Sequence, residues 1–197
     1  MKDERFAIAG GGLKLMFIGT IVALFSIVPV IGGLAAIVGG IIALVGLVKT
    51  MNAAPGYKRA VIMLVLSIAA TVLMAVMAGV AAGGAMLGSG GAAAGGLVGT
   101  LVLSLAVSVF GFLQVYFVCG ATSGLLREIG EEQEASRGDL VWKLNALCYI
   151  IAIVIAIVSV VSAGVGGALN VVRTIVSLVA NVIYIIFLYK SQQIMLA

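Results

Sequence analysis

The chain has 197 residues, of which 63% are hydrophobic and 9% charged, and its mean hydropathy is +1.33. So few polar groups cannot cover that much apolar surface in water, which excludes a soluble globular domain and predicts a polytopic membrane protein. The formal charge of +4 comes from cations scattered singly at the ends of apolar runs; with no basic stripe to track phosphates, nucleic acid is not an expected partner.

The start, Met1-Lys2-Asp3-Glu4-Arg5, is charge-balanced, and Gly10-Gly11-Gly12 interrupts the apolar part that follows. That is unlike a cleavable signal peptide. From Leu13 to Val48 there is no acid and one cation, Lys14. As one helix this stretch would reach about 54 Å, against a hydrocarbon core of about 30 Å. It is expected to reverse between Ser26 and Gly33, where Pro29 removes a backbone donor and Gly32-Gly33 permit a tight turn. The resulting spans, 15–28 and 30–48, are short, so the first hairpin either thins the bilayer or is re-entrant.

Lys49 to Arg59 reads as a polar turn containing Pro55-Gly56, and a third span follows at 60–87. The glycine-alanine tract from Gly88 to Gly96 breaks the apolar pattern without adding charge, and the glycine-rich stretch from Gly83 to Gly96 reads as a mobile connector, since it lacks the lysine and preceding strand of a phosphate loop. The fourth run, 97–126, is long enough to cross at a slant or to protrude. Residues 127–143 form the one strongly hydrophilic segment, an acidic connector in which Asp139 is expected to N-cap the next helix and Trp142 to sit at the interface. The fifth span is 144–163; a glycine turn leads to the sixth, 170–189, closed by Lys190.

The expected fold is therefore all-α, a single transmembrane domain of six helices arranged as three hairpins, with both termini cytoplasmic. Each outer turn ends in a glycine pair, at Gly32-Gly33, Gly95-Gly96 and Gly166-Gly167. Six crossings place ten cations, from Lys2 to Lys190, on the inner side and leave Arg173 at the outer border, as the positive-inside rule requires. The short first hairpin with Pro29, followed by Pro55-Gly56-Tyr57-Lys58-Arg59 before the next span, resembles small multi-span proteins of bacteria and archaea. That resemblance implies a prokaryotic inner or plasma membrane and carries no activity with it.

Chemistry is sparse. There is no histidine, and every carboxylate lies near the N-terminus or between Glu128 and Asp139. No span carries an acid, which disfavours proton relays and intramembrane cation sites. Nucleophile-elbow, dinucleotide and CxxC patterns are missing, so no enzyme activity, cofactor or metal is expected. Cys119 and Cys148 lie in apolar runs and read as buried thiols.

Small residues four apart, Gly32, Ala36 and Gly40 in the second span and Thr71, Ala75, Gly79 and Gly83 in the third, predict close helix packing, within the chain or between copies. In the fourth span Ser104, Ser108, Gly111 and Thr122 share a face with Gln114 at its edge; in the sixth, Asn170, Arg173, Ser177, Asn181 and Tyr184 recur at three- and four-residue steps. These faces form either a polar seam or an aqueous path with a cationic mouth at Arg173. Two functions follow. One is a homo-oligomeric channel or facilitator for a small neutral or anionic solute. The other is a non-conducting structural, assembly or accessory protein whose stripes join helices or copies. Membrane lipid and a second copy are the expected partners, with a basic cytoplasmic protein at Glu131, Glu132 and Glu134 as a third.

Overall fold

The computed structural model describes residues 2–25, 32–161 and 166–197. Among these residues six helices follow one another: α1 (Lys2–Leu24), α2 (Gly32–Thr50), α3 (Pro55–Met86), α4 (Gly90–Glu128), α5 (Glu132–Val161) and α6 (Gly166–Leu196). Among the described residues there is no strand. Five helical stretches, Glu4–Leu24, Pro55–Met86, Gly90–Glu128, Glu132–Ile155 and Thr174–Leu196, are long and apolar enough to cross a membrane. Leu34–Thr50 of α2 is apolar but shorter. The expected turn at Pro29 lies outside the described residues.

Helices outrun the apolar runs from which they were read. α1 starts at Lys2 and carries Gly10-Gly11-Gly12 inside it, because those glycines are where other helices touch. A methyl on Gly10 would lie 2.9 Å from Leu196 Cγ, and one on Gly12 would lie 2.6 Å from the Gly46 carbonyl oxygen. Tertiary contact here outweighs the intrinsic helix cost of glycine, about 1 kcal/mol each. Most of the Gly88–Gly96 tract is likewise helix; only Leu87 to Ser89 connect α3 to α4. Gly88 takes φ +69°, and the Ser89 and Gly88 amides donate to the Gly84 and Ala85 carbonyls at 2.8 and 3.3 Å. That is the Schellman ending, which needs a residue without Cβ at the left-handed position. It recurs at Gly130, φ +87°, where Glu131 donates to Leu126 at 2.9 Å and Gly130 to Arg127 at 3.1 Å.

After that turn α5 begins at Glu132, not at Asp139. Glu132 and Glu134 occupy its first turn, where the helix dipole favours negative charge. Asp139 lies within the helix and pairs with Arg127 across the turn. At the other end of the chain, Lys190 does not close α6, which continues through Ser191 and Gln192 to Leu196 because this last turn is buried against α1.

α1 and α2 run antiparallel with backbones in contact. A methyl on Gly19 would lie 2.5 Å from the Ala43 nitrogen, and one on Gly39 would lie 2.6 Å from both the Ala23 nitrogen and the Gly19 oxygen. Gly46 faces Gly12 in the same way. The glycines are therefore opposed at seven-residue intervals, 12 and 19 against 46 and 39, and Cα–H groups meet carbonyls across the seam. α3 and α4 are also antiparallel: Gly96 abuts Ala81, and the Tyr57 and Thr122 hydroxyls share a 2.8 Å hydrogen bond. α6 returns along α1, with Phe17 and Tyr189 rings 5.3 Å apart.

The core lies at one end of the bundle. Leu13, Leu47, Tyr57, Val118, Leu126 and Leu188 are fully buried there, where α1, α3 and α5 begin and α2, α4 and α6 end. Further along, α3 and α4 present Val72, Val76, Leu101 and Val102 outward, reaching 91% exposure at Met86. An apolar wall of this extent is far beyond the few hundred Å² that a water-soluble surface tolerates.

Candidate functional site: a polar cavity between α4, α5 and α6

The polar faces expected on the fourth and sixth spans do converge in part. A cavity of about 160 Å³ lies between α4, α5 and α6, lined by Ser108 of α4 and by Ser177, Ala180, Asn181 and Tyr184 of α6. Asn145, Cys148, Tyr149 and Ile151 of α5, Val115 of α4 and Val176 of α6 also line it. Among the described residues, no carboxylate, amine or guanidinium is part of the lining. It has room for several waters or one small molecule.

Three of the polar side chains are held by their own helices. Ser108 Oγ donates to the Ser104 carbonyl at 2.9 Å, Asn181 Nδ2 to the Ser177 carbonyl at 2.9 Å, and Asn145 Nδ2 to the Val141 carbonyl at 3.1 Å. An amide tied down by one N–H keeps its second N–H and its carbonyl oxygen for a guest. Asn145 is only 7% exposed and is one of the lining residues. Cys148 Sγ approaches the Val176 carbonyl at 3.8 Å. The Tyr149 hydroxyl fits because Gly111 faces it: a methyl there would lie 3.0 Å from the oxygen.

Other expected site residues fall elsewhere. Ser104 turns its hydroxyl back to Leu101 at 2.8 Å and does not line the cavity. Gln114 is half-buried on α4 and is not part of the lining. Thr122 lies on the same face of α4 but is buried against Tyr57. The side chains of Asn170 and Arg173 lie outside the described residues.

The stripes expected to pack helices face outward. Ala36 and Gly40 of α2 and Thr71, Ala75 and Gly79 of α3 are exposed, and a methyl on Gly40, Gly79 or Gly83 would meet nothing within 4 Å; the side of Gly32 lies outside the described residues. Among the described residues, no helix of the chain packs on Gly40, Gly79 or Gly83. The contact on α2 runs through Gly39 and Gly46, one register over, because it follows a seven-residue interval and not a four-residue one.

Asn145 and Tyr149 are not among the expected site residues, although with Cys148 their i, i+3, i+4 spacing puts them on one helical face. Cys148, expected as a buried thiol, is half-buried in the cavity wall. Both cysteines are free. Of the acids expected to recruit a partner, Glu131 and Glu132 are exposed, but Glu134 pairs with Arg137 and, at 3.7 Å, with Lys190. Among the described residues no three metal-binding side chains gather.

No protein-family model, curated protein or solved structure matches this chain.

Proposed function

We propose that this is an integral membrane protein whose six helices cross the bilayer as three hairpins, and that it admits a small neutral polar solute at the α4–α5–α6 cavity. The observation that carries this reading is a cavity inside an otherwise apolar bundle to which three helices bring amides and hydroxyls and, among the described residues, no charge. Polar groups in such a setting are costly unless partnered or functional. No charged group among the described lining residues selects the guest, so an uncharged, hydrogen-bonding molecule suits it best.

Sidedness follows from the ends that meet. Arg5 bonds the Ala53 carbonyl at 3.2 Å and lies 3.5 Å from Glu128; Lys190 lies by Glu134. This charged end, with both termini, is the cytoplasmic one by the positive-inside rule. In proteoliposomes, Asn181→Leu and Asn145→Leu should lower efflux of urea or glycerol at least tenfold while leaving folding intact. Unchanged efflux in both variants would remove the cavity from any pathway.

The outward stripes favour a second reading, an assembly protein that joins copies of itself through α2 and α3. Small residues with nothing against them let another helix approach closely. Parent protein that passes no solute yet self-associates, and loses that association in Gly79→Leu, would favour this reading over the first.

A further inference from the structure

A second recess opens at the charged end, away from the solute cavity. It is a groove of about 380 Å³ between the start of α1, the start of α3 and the last turns of α4. Its cationic side chains are Arg5 and Arg59, and Glu128 is its acid. Arg5 is already engaged by Glu128 at 3.5 Å. Arg59 has no carboxylate partner among the described residues; its guanidinium stands 6.0 Å from the centre of the Phe117 ring. Stacking on an aromatic leaves the planar fork of donors free to grip an anion's oxygens.

The groove is also open where it needs to be. Gly120 and Gly124 of α4 face it, and a methyl on either would touch nothing within 4 Å. Tyr116 borders it and meets Trp142 edge-on at 5.1 Å. Tyrosine and tryptophan collect at the level of lipid headgroups. From there the exposed apolar sides of α3 and α4, with Ile62, Val65 and Val109, lead away from the charged end. A ligand that is anionic at one end and hydrocarbon along the rest matches both parts. Free phosphate matches only the first.

We propose that the Arg5–Arg59 groove is a binding site for the phosphate headgroup of an anionic phospholipid, with Arg59 as its principal contact and the acyl chains lying along α3 and α4. Trp142, the one tryptophan of the chain, reports on it directly. In nanodiscs, anionic phosphatidylglycerol brominated near its headgroup is titrated into unbrominated phosphatidylcholine, and the reverse pair is run alongside. Quenching should show a preference for the anionic lipid that falls about fivefold in Arg59→Gln and further in Arg5→Gln/Arg59→Gln. Lys14→Gln, whose charge lies outside the groove, should retain it. No preference in the parent protein, or the same preference in the double variant, would overturn the site. If millimolar inorganic phosphate or glycerol 3-phosphate abolished the preference, the groove would be a site for a soluble phosphate and the lipid assignment would fall.

Discussion

Two antiparallel helix pairs in this chain are rich in glycine and use it in opposite ways. Between α1 and α2 the glycines oppose each other at Gly12/Gly46 and Gly19/Gly39, and every one of them is filled by the partner's backbone. Between α3 and α4, among the described residues, Gly56 meets the Phe117 carbonyl and Ala121, Gly96 meets the Ala81 backbone and Gly99 only the Met77 side chain, while Gly79, Gly83, Gly90, Gly91 and Gly95 face open space. The difference is register. A glycine joins helices when the opposing helix brings its own small residue to the same height; otherwise it leaves a notch on the outer wall.

The sharpest way to break the comparison is to fill a seam glycine. Gly19→Leu should destabilise the protein by about 3 kcal/mol or more, because the obstructing atoms are backbone and cannot rotate aside. Reversible unfolding in mixed micelles measures it, and a loss under 1 kcal/mol would mean the α1–α2 seam is not as tight as described. Gly96→Leu tests the corresponding contact of the other pair. Because α3 and α4 are exposed on their outer sides at this height, it should cost about 1–3 kcal/mol by the same assay.

A smaller effect is expected from the polar clasp at the packed end of α3 and α4. Tyr57→Phe removes the 2.8 Å hydrogen bond to Thr122 and leaves a buried hydroxyl unpartnered, costing about 1–2 kcal/mol. Adding Thr122→Val should recover part of that loss, and the double-mutant cycle separates the bond from the stranded hydroxyl. The smallest change is also the one of opposite sign. Gly79→Ala, with nothing within 4 Å of the new methyl, should leave the isolated chain as stable or up to about 1 kcal/mol more stable, through helix propensity alone. A clear destabilisation detected only when the protein self-associates would instead mark that notch as a contact between copies.

Much of the fold was legible because apolarity reports where a helix must avoid water. Five of the apolar runs correspond to long helices, and the reversals near Gly88 and Gly130 fall at glycines. Helix ends were less legible, since a helix does not stop where hydrocarbon stops. Glu132 to Lys143 stay helical with Glu132 and Glu134 favouring the N-terminus, and Ser191 to Leu196 stay helical because α1 covers them. Nor does a repeat of small residues say which of two adjacent faces a neighbour will take. Gly39 and Gly40 differ by one position, yet one is buried in backbone and the other open. The cavity was half legible: the polar faces of α4 and α6 could be read from spacing, but the α5 contribution depends on which side of α5 turns inward.

α4 is 39 residues long, about 58 Å of rod at 1.5 Å per residue. A bilayer offers roughly 30 Å of hydrocarbon, and α3 is bound to the same rod along its length. In the membrane arrangement proposed above, an oversized pair of this kind would impose its own thickness on the lipid around it. Fractions of a kcal/mol per ångström of mismatch are enough to sort proteins between thinner and thicker membranes, so the length of one helix becomes a preference for where in a membrane the molecule resides.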